Sequence, residues 1–455
     1  MRDTWASWIV VAMIAWALFT VGAVYAWASA PLIAVAALLA VLAPPKLART
    51  SDTWTLDGCL LASVAAIALQ LVPLPQAVRA AVSPHAVSVV SALELRPSGA
   101  TAWQPISISP WSTAYALALV LAAVVVFWVT RRGAGHGRAR WIVRQTAFAG
   151  LAAAVIAIAL RARGNPTLIY GLWRPVDDGA HPFGPFVNRN HFATWVLMAC
   201  PLAVGYVATT FTSTRAARRP AAVLIAAFEW LGTGAAWASA ASIVMIIALL
   251  VSTSRSGVIA LVGTVLGIAM LAHGRFTRRT AFLAVTTLVA IAAITSAYAN
   301  TQPLVDRFEG IRETGAEGRT QIWRDTMHVI RDFPLTGVGL GGYQTAMLLY
   351  QESDRSRFTN QAHNQYLHLI SEGGLLVSVP AAMAVVAFVQ LFRKRLAQDR
   401  SQAVWLRIGA LAAIVAVALQ GVWETGLRIP ANGILFAVAA AVAVHRPIHE
   451  GAGRW

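Results

Sequence analysis

Residues 112–132 read STAYALALVLAAVVVFWVTRR. From 112 to 130 the run carries no charge, and about 20 such residues in a helix cross a ~30 Å hydrocarbon core. It is apolar on every side, unlike the one-sided helices of soluble domains, and Arg131 and Arg132 close it. The same pattern recurs along the 455 residues, with expected spans at 5–24, 31–43, 56–73, 112–130, 143–160, 190–210, 233–252, 257–272, 281–299, 373–392, 404–422 and 430–445. Hydrophobic residues make up 58% and charged residues 12%, with a mean hydropathy of +0.63; soluble domains carry about 25% charged residues. The expected fold class is all-α, a polytopic membrane protein with about twelve transmembrane helices and a large outer loop.

The opening apolar run after Arg2 ends near Ala28-Ser29-Ala30, a small-residue pattern like a leader cleavage site. It exceeds the ~7 to 15 residues of a leader's apolar segment, so it reads as a retained first span. Residues 220–252 are too long for one span and short for two, and Glu229 suggests an interfacial helix leading into a membrane helix. Cys59 and Cys200 both lie in apolar runs, which leaves no disulfide or zinc framework.

The formal charge of +17 would suggest nucleic acid in a soluble protein. With the N-terminus in the cytoplasm, 21 of the 36 Lys and Arg fall on that side, among them Arg2, Lys46, the run Arg131–Arg144 and the run Arg393–Arg407. The opposite side keeps 15 basic and 13 acidic residues and is nearly neutral. Short basic loops of this kind orient helices and meet anionic lipid, so the partners expected are membrane lipids and not nucleic acid, with both termini cytoplasmic.

A transporter keeps ionisable groups near the bilayer midplane, and these span interiors hold almost none. The unusual polar groups lie where outer loops meet the membrane: Asn188-Arg189-Asn190-His191, Ser252 to Ser256 around Arg255, and His363-Asn364 ahead of Glu372. That distribution favours chemistry at the outer surface over conduction. Arg189 and Arg255 each suit bidentate binding of a phosphate; an isolated arginine more often snorkels to headgroups, but the hydroxyls around Arg255 and the amides flanking Arg189 shift the reading toward an anion. His363, near a helix N-terminus where the dipole disfavours imidazolium, is a candidate general base. Asn364, His368 and Glu372 repeat every four residues on one helical stripe, either beside the site or as a solvated face. A helix is expected at Arg319–Phe333, with Ile322, Trp323, Met327 and Ile330 on its apolar side. Gly337 to Gly342 lacks the strand and Lys-Ser/Thr pair of a phosphate loop and reads as a flexible turn. Asp177, Asp178 and His181, between Pro175 and Pro182, read as a polar turn before a metal site.

Taken together, Phe183-Gly184-Pro185-Phe186-Val187-Asn188-Arg189-Asn190-His191-Phe192-Ala193, Ser254-Arg255-Ser256-Gly257, the stretch Arg319 to Gly339, and His363-Asn364-Gln365-Tyr366-Leu367 with Glu372-Gly373-Gly374 resemble the O-antigen ligase and O-antigen polymerase superfamily. The resemblance covers residues 160–445, while the first four spans match only in kind. It implies a type C glycosyltransferase fold in the bacterial inner membrane, with one large periplasmic loop and the active site on the periplasmic face. It implies a donor glycan on undecaprenyl diphosphate and a saccharide acceptor such as lipid A core. By the same resemblance, Arg189 and Arg255 hold the diphosphate and His363 activates the acceptor hydroxyl, with Asn188, His191, Ser254, Arg319 and Asn364 binding substrate. No cofactor or metal is expected: the first outer loop, read as Tyr25 to Pro31, has no Asp or Glu.

The expected organisation is N-terminal helices over 1–160, core helices with the donor-binding arginines over 161–299, the periplasmic loop over 300–372 and C-terminal helices over 373–455. The family resembled contains ligases and polymerases. The residues do not separate these, since donor chemistry is shared and acceptor recognition lies in variable loops; the reading leans to an inverting ligase-type transferase, with a polymerase close behind and a flippase or exporter as the different-class alternative.

Overall fold

The computed structural model describes residues 2–45, 51–93, 103–164, 167–176, 180–211, 233–271, 316–352, 355 and 358–446. The helices among them, in chain order, are α1 (Arg2–Phe19), α2 (Ala26–Leu42), α3 (Trp54–Leu69), α4 (Gln76–Val82), α5 (Pro84–Ala92), α6 (Pro110–Gly133), α7 (Ala139–Ala162), α8 (Arg189–Phe211), α9 (Gly234–Val251), α10 (Arg255–Leu271), α11 (Ala316–Asp332), α12 (Tyr343–Tyr350), α13 (Gln365–Gln398), α14 (Val404–Gln420) and α15 (Pro430–Val444). Every expected span except 281–299 falls on one of these helices. That span, the interfacial helix around Glu229, the pair Asp177 and Asp178, and the start of the loop at 300–315 lie outside the described residues. The protein is a multi-pass, mostly helical membrane protein. Among the described residues, α6, α7, α8, α9 and α13 are long and apolar enough to cross a bilayer, and α1, α2, α3, α10, α14 and α15 are shorter apolar helices.

Helix α8 lies at the centre, with Phe192, Trp195, Met198 and Ala199 at 0% exposure, and packs on α7, α9 and α14. Its contact with α14 depends on small residues. A Cβ added at Gly205 would lie 2.7 Å from Trp405 O, and one added at Gly409 would lie 2.5 Å from Pro201 O, so the two backbones nearly touch, as small residues permit between membrane helices. Around this pair, α15 packs on α6 and α14, and α3 packs on α13.

The chain between α1 and α2 corrects one boundary. Tyr25 precedes α2 and Pro31 lies inside it, so the turn is the 3₁₀ segment Val21–Ala23 with its flanks. Apolar residues from Ala26 onward extend the helix past the expected loop, and the shorter turn still carries no acid.

The described residues of the segment expected as the outer loop, from 316 on, pack with an earlier segment. Strands β1 (Pro73–Pro75) and β2 (Trp103–Pro105) pair antiparallel. With α4, α5, α11 and α12 they surround a second core of Ala86, Val89, Val329, Phe333, Tyr343 and Met347. Here α11 buries Thr326, Val329 and Phe333 in this core, while Met327, on the expected apolar side, is 38% exposed. The reason is the partner, because Thr326 bonds the Tyr343 hydroxyl at 2.8 Å and Trp323 Nε1 donates to Ala362 O at 3.0 Å.

The expected flexible turn at Gly337–Gly342 is also corrected. Val338 N donates to Ser371 O and Gly339 N to Glu372 O, both at 3.0 Å. This occurs where α13 breaks at Gly374, whose φ is +55°. A Cβ added at Gly337 would meet Glu372 O at 2.2 Å, so glycine is required by the close approach. These amides are spent on the chain.

Candidate active site

Three helices begin at one end of the bundle with the residues that sequence reading selected. At the start of α8, Asn188 Oδ1 accepts from Asn190 N at 2.8 Å and Asn188 O from His191 N at 3.0 Å. Arg189 is the first residue of α8, with its N–H held by His181 O at 2.9 Å. Arg255 is the first residue of α10, after a tight turn in which Thr253 has φ +56°. Ser254 Oγ accepts from Gly257 N at 3.3 Å and donates to Asn190 Oδ1 at 2.8 Å. That bond ties the two arginine-bearing N-termini together. Helix N-termini carry partial positive charge and unpaired N–H groups, which favour an anion.

Asn364 caps α13, its Oδ1 accepting from Tyr366 N and Leu367 N, both at 3.0 Å. The preceding residue, His363, sits at φ +47°, a conformation costly for a side chain with Cβ and one that gathers at functional sites. It points the ring at Glu424: His363 Nδ1 lies 3.6 Å from Glu424 Oε1, with side-chain exposures of 34% and 1%. Asn190 Nδ2 donates to Glu424 Oε2 at 2.6 Å and Thr425 N to Glu424 Oε1 at 3.2 Å. Glu424 thus joins the Asn188–His191, Ser254–Arg255 and His363–Asn364 segments. Burial pushes its carboxyl up, but the neighbouring His363 ring, with the charges of His191 and Arg319, brings it down to about 2. It is a buried carboxylate at neutral pH.

The remaining selected residues surround this centre. His191 is 6% exposed; its carbonyl accepts from Asn432 Nδ2 at 3.2 Å, and its ring Nε2 is enclosed with no hydrogen-bond partner. Arg319, on α11, is near enough for its charge to act on Glu424. The stripe of Asn364, His368 and Glu372 is not a solvated face, because His368 and Glu372 are 1% and 2% exposed. His368 Nδ1 accepts from Ala362 N at 3.3 Å, which assigns the ring proton to Nε2, 3.2 Å from Glu372 Oε1. Tyr343 N also donates to Glu372 Oε1 at 3.2 Å. This pair anchors the chain one residue before His363.

Sequence reading did not select Glu424, Gln420 or Arg428. Gln420 Nε2 contacts Asn190 O at 3.4 Å and Ser256 Oγ at 3.5 Å. Arg428 donates to Asn360 O at 3.4 Å and lies 3.9 Å from Glu372 Oε1. The signal was present: Trp423-Glu424-Thr425-Gly426-Leu427-Arg428 places an acid and a base in a short outer turn between two apolar segments. Of the weighed metal ligands, His181 is exposed, and among the described residues no group of three or more His, Cys, Asp or Glu is arranged to hold a metal.

The geometry offers arginines at two adjacent helix N-termini and a partly exposed imidazole backed by a buried carboxylate. Such a site can hold an anion and accept a proton from a neighbouring hydroxyl. Residues 240–381, which include Ser254, Arg255, Arg319 and His363, match the family model described as O-antigen ligase. Over 262 residues the chain is 26% identical to the exopolysaccharide production protein ExoQ of Rhizobium meliloti (strain 1021), a match covering 54% of this chain and 55% of that relative. The chain therefore spans about half the length of the curated relative it matches. With its polar motifs meeting at one end of an apolar helical bundle and residues 240–381 matching the ligase model, the chain is similar to the O-antigen ligase and polymerase superfamily.

Proposed function

We propose that the protein is an inner-membrane glycosyltransferase that moves a glycan from undecaprenyl diphosphate to an acceptor sugar on the periplasmic face, by an O-antigen ligase type of reaction. The observation that carries this reading is the Asn190–Ser254 bond, which couples the N-termini bearing Arg189 and Arg255 beside the His363–Glu424 pair. The leaving group is a lipid diphosphate, so stabilising its growing negative charge is the main catalytic need. Arg189 and Arg255 supply that charge, aided by the N–H groups of α8 and α10. His363 takes the acceptor proton as the hydroxyl oxygen bonds to the anomeric carbon and the bond to the diphosphate breaks, with inversion. Asn188, His191, Ser254, Arg319 and Asn364 contact the substrates in this reading, and the reaction needs no added metal.

Transfer from purified lipid-linked donor should persist in EDTA. Arg189→Ala and Arg255→Ala should each lose on the order of 10- to 100-fold, as expected for a charge-assisted contact of ~1.5–3 kcal/mol, and lysine should rescue poorly because it lacks the planar fork. Full activity in either alanine variant removes that arginine from the site. A polymerase reading is favoured by one finding, the similarity to an exopolysaccharide production protein. In a deletion strain, full-length but unattached glycan supports the ligase, and single repeat units support the polymerase.

A further inference from the structure

A buried carboxylate beside a partly exposed histidine has two explanations: it completes the packing, or it tunes the imidazole. Glu424 is 1% exposed and lies on the irregular segment between α14 and α15. Its two oxygens are divided between functions. Oε2 takes the 2.6 Å bond from Asn190 on α8, and Oε1 faces Thr425 N at 3.2 Å and His363 Nδ1 at 3.6 Å. One oxygen is therefore fixed by the chain and the other directed at the ring, whose Nδ1 is enclosed with no other partner. With Nδ1 turned inward, the other ring nitrogen is the one left for a substrate, and the ring is still 34% exposed.

From this geometry we infer that Glu424 is a positioning residue, holding His363 so that its Nε2 accepts the acceptor proton and stabilising the imidazolium that results. The inference rests on the reading of His363 as the general base. In the step, the hydroxyl proton passes to Nε2, the hydroxyl oxygen bonds to the anomeric carbon, and the electron pair of the broken bond leaves with the diphosphate. The imidazolium then carries its Nδ1–H toward Glu424 Oε1, and a carboxylate at this range favours the charged ring. Other ionisable groups surround the pair: His191 from α8, Arg319 from α11, His368 and Glu372 from α13, and Arg428 from the turn before α15. Of these the cations oppose imidazolium, which leaves Glu424 as the anion in contact with His363 that offsets them.

The test is the pH dependence of turnover in purified full-length protein with an undecaprenyl-diphosphate-linked glycan as donor. In Glu424→Gln, of nearly the same shape, the donor KM should stay within ~3-fold and kcat should fall ~10²-fold. The acid limb of kcat should shift, because the neutral amide no longer offsets the charge that forms on the ring in the step. Glu424→Asp keeps the charge and should keep the limb within a few tenths of a unit of wild type, even where the shorter side chain lowers kcat. It carries the test if the glutamine variant fails to fold. A limb unmoved in Glu424→Gln, or moved as far in Glu424→Asp, assigns Glu424 to packing and overturns the inference. His363→Ala separates the two levels: if it retains full transfer the general-base reading fails, whereas an inactive His363→Ala with a fully active Glu424→Gln overturns the role of Glu424 alone.

Discussion

The two ends of helix α14 treat buried charge in opposite ways. At its start, Arg407 is 0% exposed and its donors are all engaged nearby: Nη2 to Asp399 Oδ2 at 2.9 Å, Nη1 to Ala443 O at 2.6 Å and to His445 O at 3.1 Å. At the same end, Asp57 takes both Arg131 nitrogens, Trp128 Nε1 and Thr53 Oγ1, each at 2.8 Å. Past the other end of α14, Glu424 faces His363 at 3.6 Å, His363 occupies a left-handed conformation, and His191 Nε2 has no hydrogen-bond partner. Saturated ion pairs hold helices in place, and their worth lies in what breaking them costs. Unsaturated groups and strained turns weaken the fold and persist where a ligand completes them. Among the described residues, Asp57 and Arg407 are fully paired at the arginine-rich end, while the His191 and His363 rings are incompletely paired at the end with the family motifs.

The largest expected effect is on stability at the saturated end. Arg407→Ala leaves Asp399 buried without its partner and should cost ~3–5 kcal/mol, read as a large fall in thermal stability of the purified protein. Glu424→Gln should cost less stability and much more turnover. The contrast fails if Arg407→Ala is as stable as wild type.

Acid should sharpen it next. Glu424 is brought to about 2, below the ordinary carboxylate value of 4.5, so it adds stability above pH ~4.5 that is lost as pH falls toward 2, on the order of 3 kcal/mol in full. Burial pushes Asp399 up, but hydrogen bonds from Ser401 and Arg407 outweigh it and hold it low, so its contribution is lost with falling pH in the same sense. Glu424→Gln and Asp399→Asn should both flatten the acid side of stability against pH, and the account predicts that only Glu424→Gln also moves the pH dependence of transfer.

The smallest effect is a labelling pattern. The basic end should face the cytoplasm and the site the periplasm. A Cβ added at Gly135 or Gly318 meets nothing within 4 Å, so cysteine is tolerated at both. In a background without the two native thiols, an impermeant thiol reagent added outside should label Gly318→Cys and spare Gly135→Cys. The reverse pattern inverts the topology.

The helices and the site motifs were legible in sequence for one reason: polar residues are rare in this chain, so Asn188 to His191, Ser254-Arg255 and His363-Asn364 stand out at the ends of apolar runs. What sequence concealed were partnerships over long distances. Glu424 reads as an ordinary loop acid until the fold brings Asn190, 234 residues away, to its carboxylate. The face that α11 buries in the core was not legible, because Met327 and Val329 fit an apolar side equally well, and Tyr343 and Ala362, which hold Thr326 and Trp323, decide it. The glycines of 337–342 looked like freedom and are close approaches, Gly337 to Glu372 and Gly373, Gly339 to Ser107 and Gly341 to Ser112.

The account turns on His363 acting in transfer and not in donor capture. Purified His363→Ala, assayed with undecaprenyl-diphosphate-linked glycan for both binding and single-turnover transfer, tests this most directly. The account predicts donor affinity within ~3-fold of wild type with transfer reduced ~10²- to 10⁴-fold, the range of a positioned general base. Transfer at the wild-type rate, or loss of donor binding in step with loss of transfer, would contradict it.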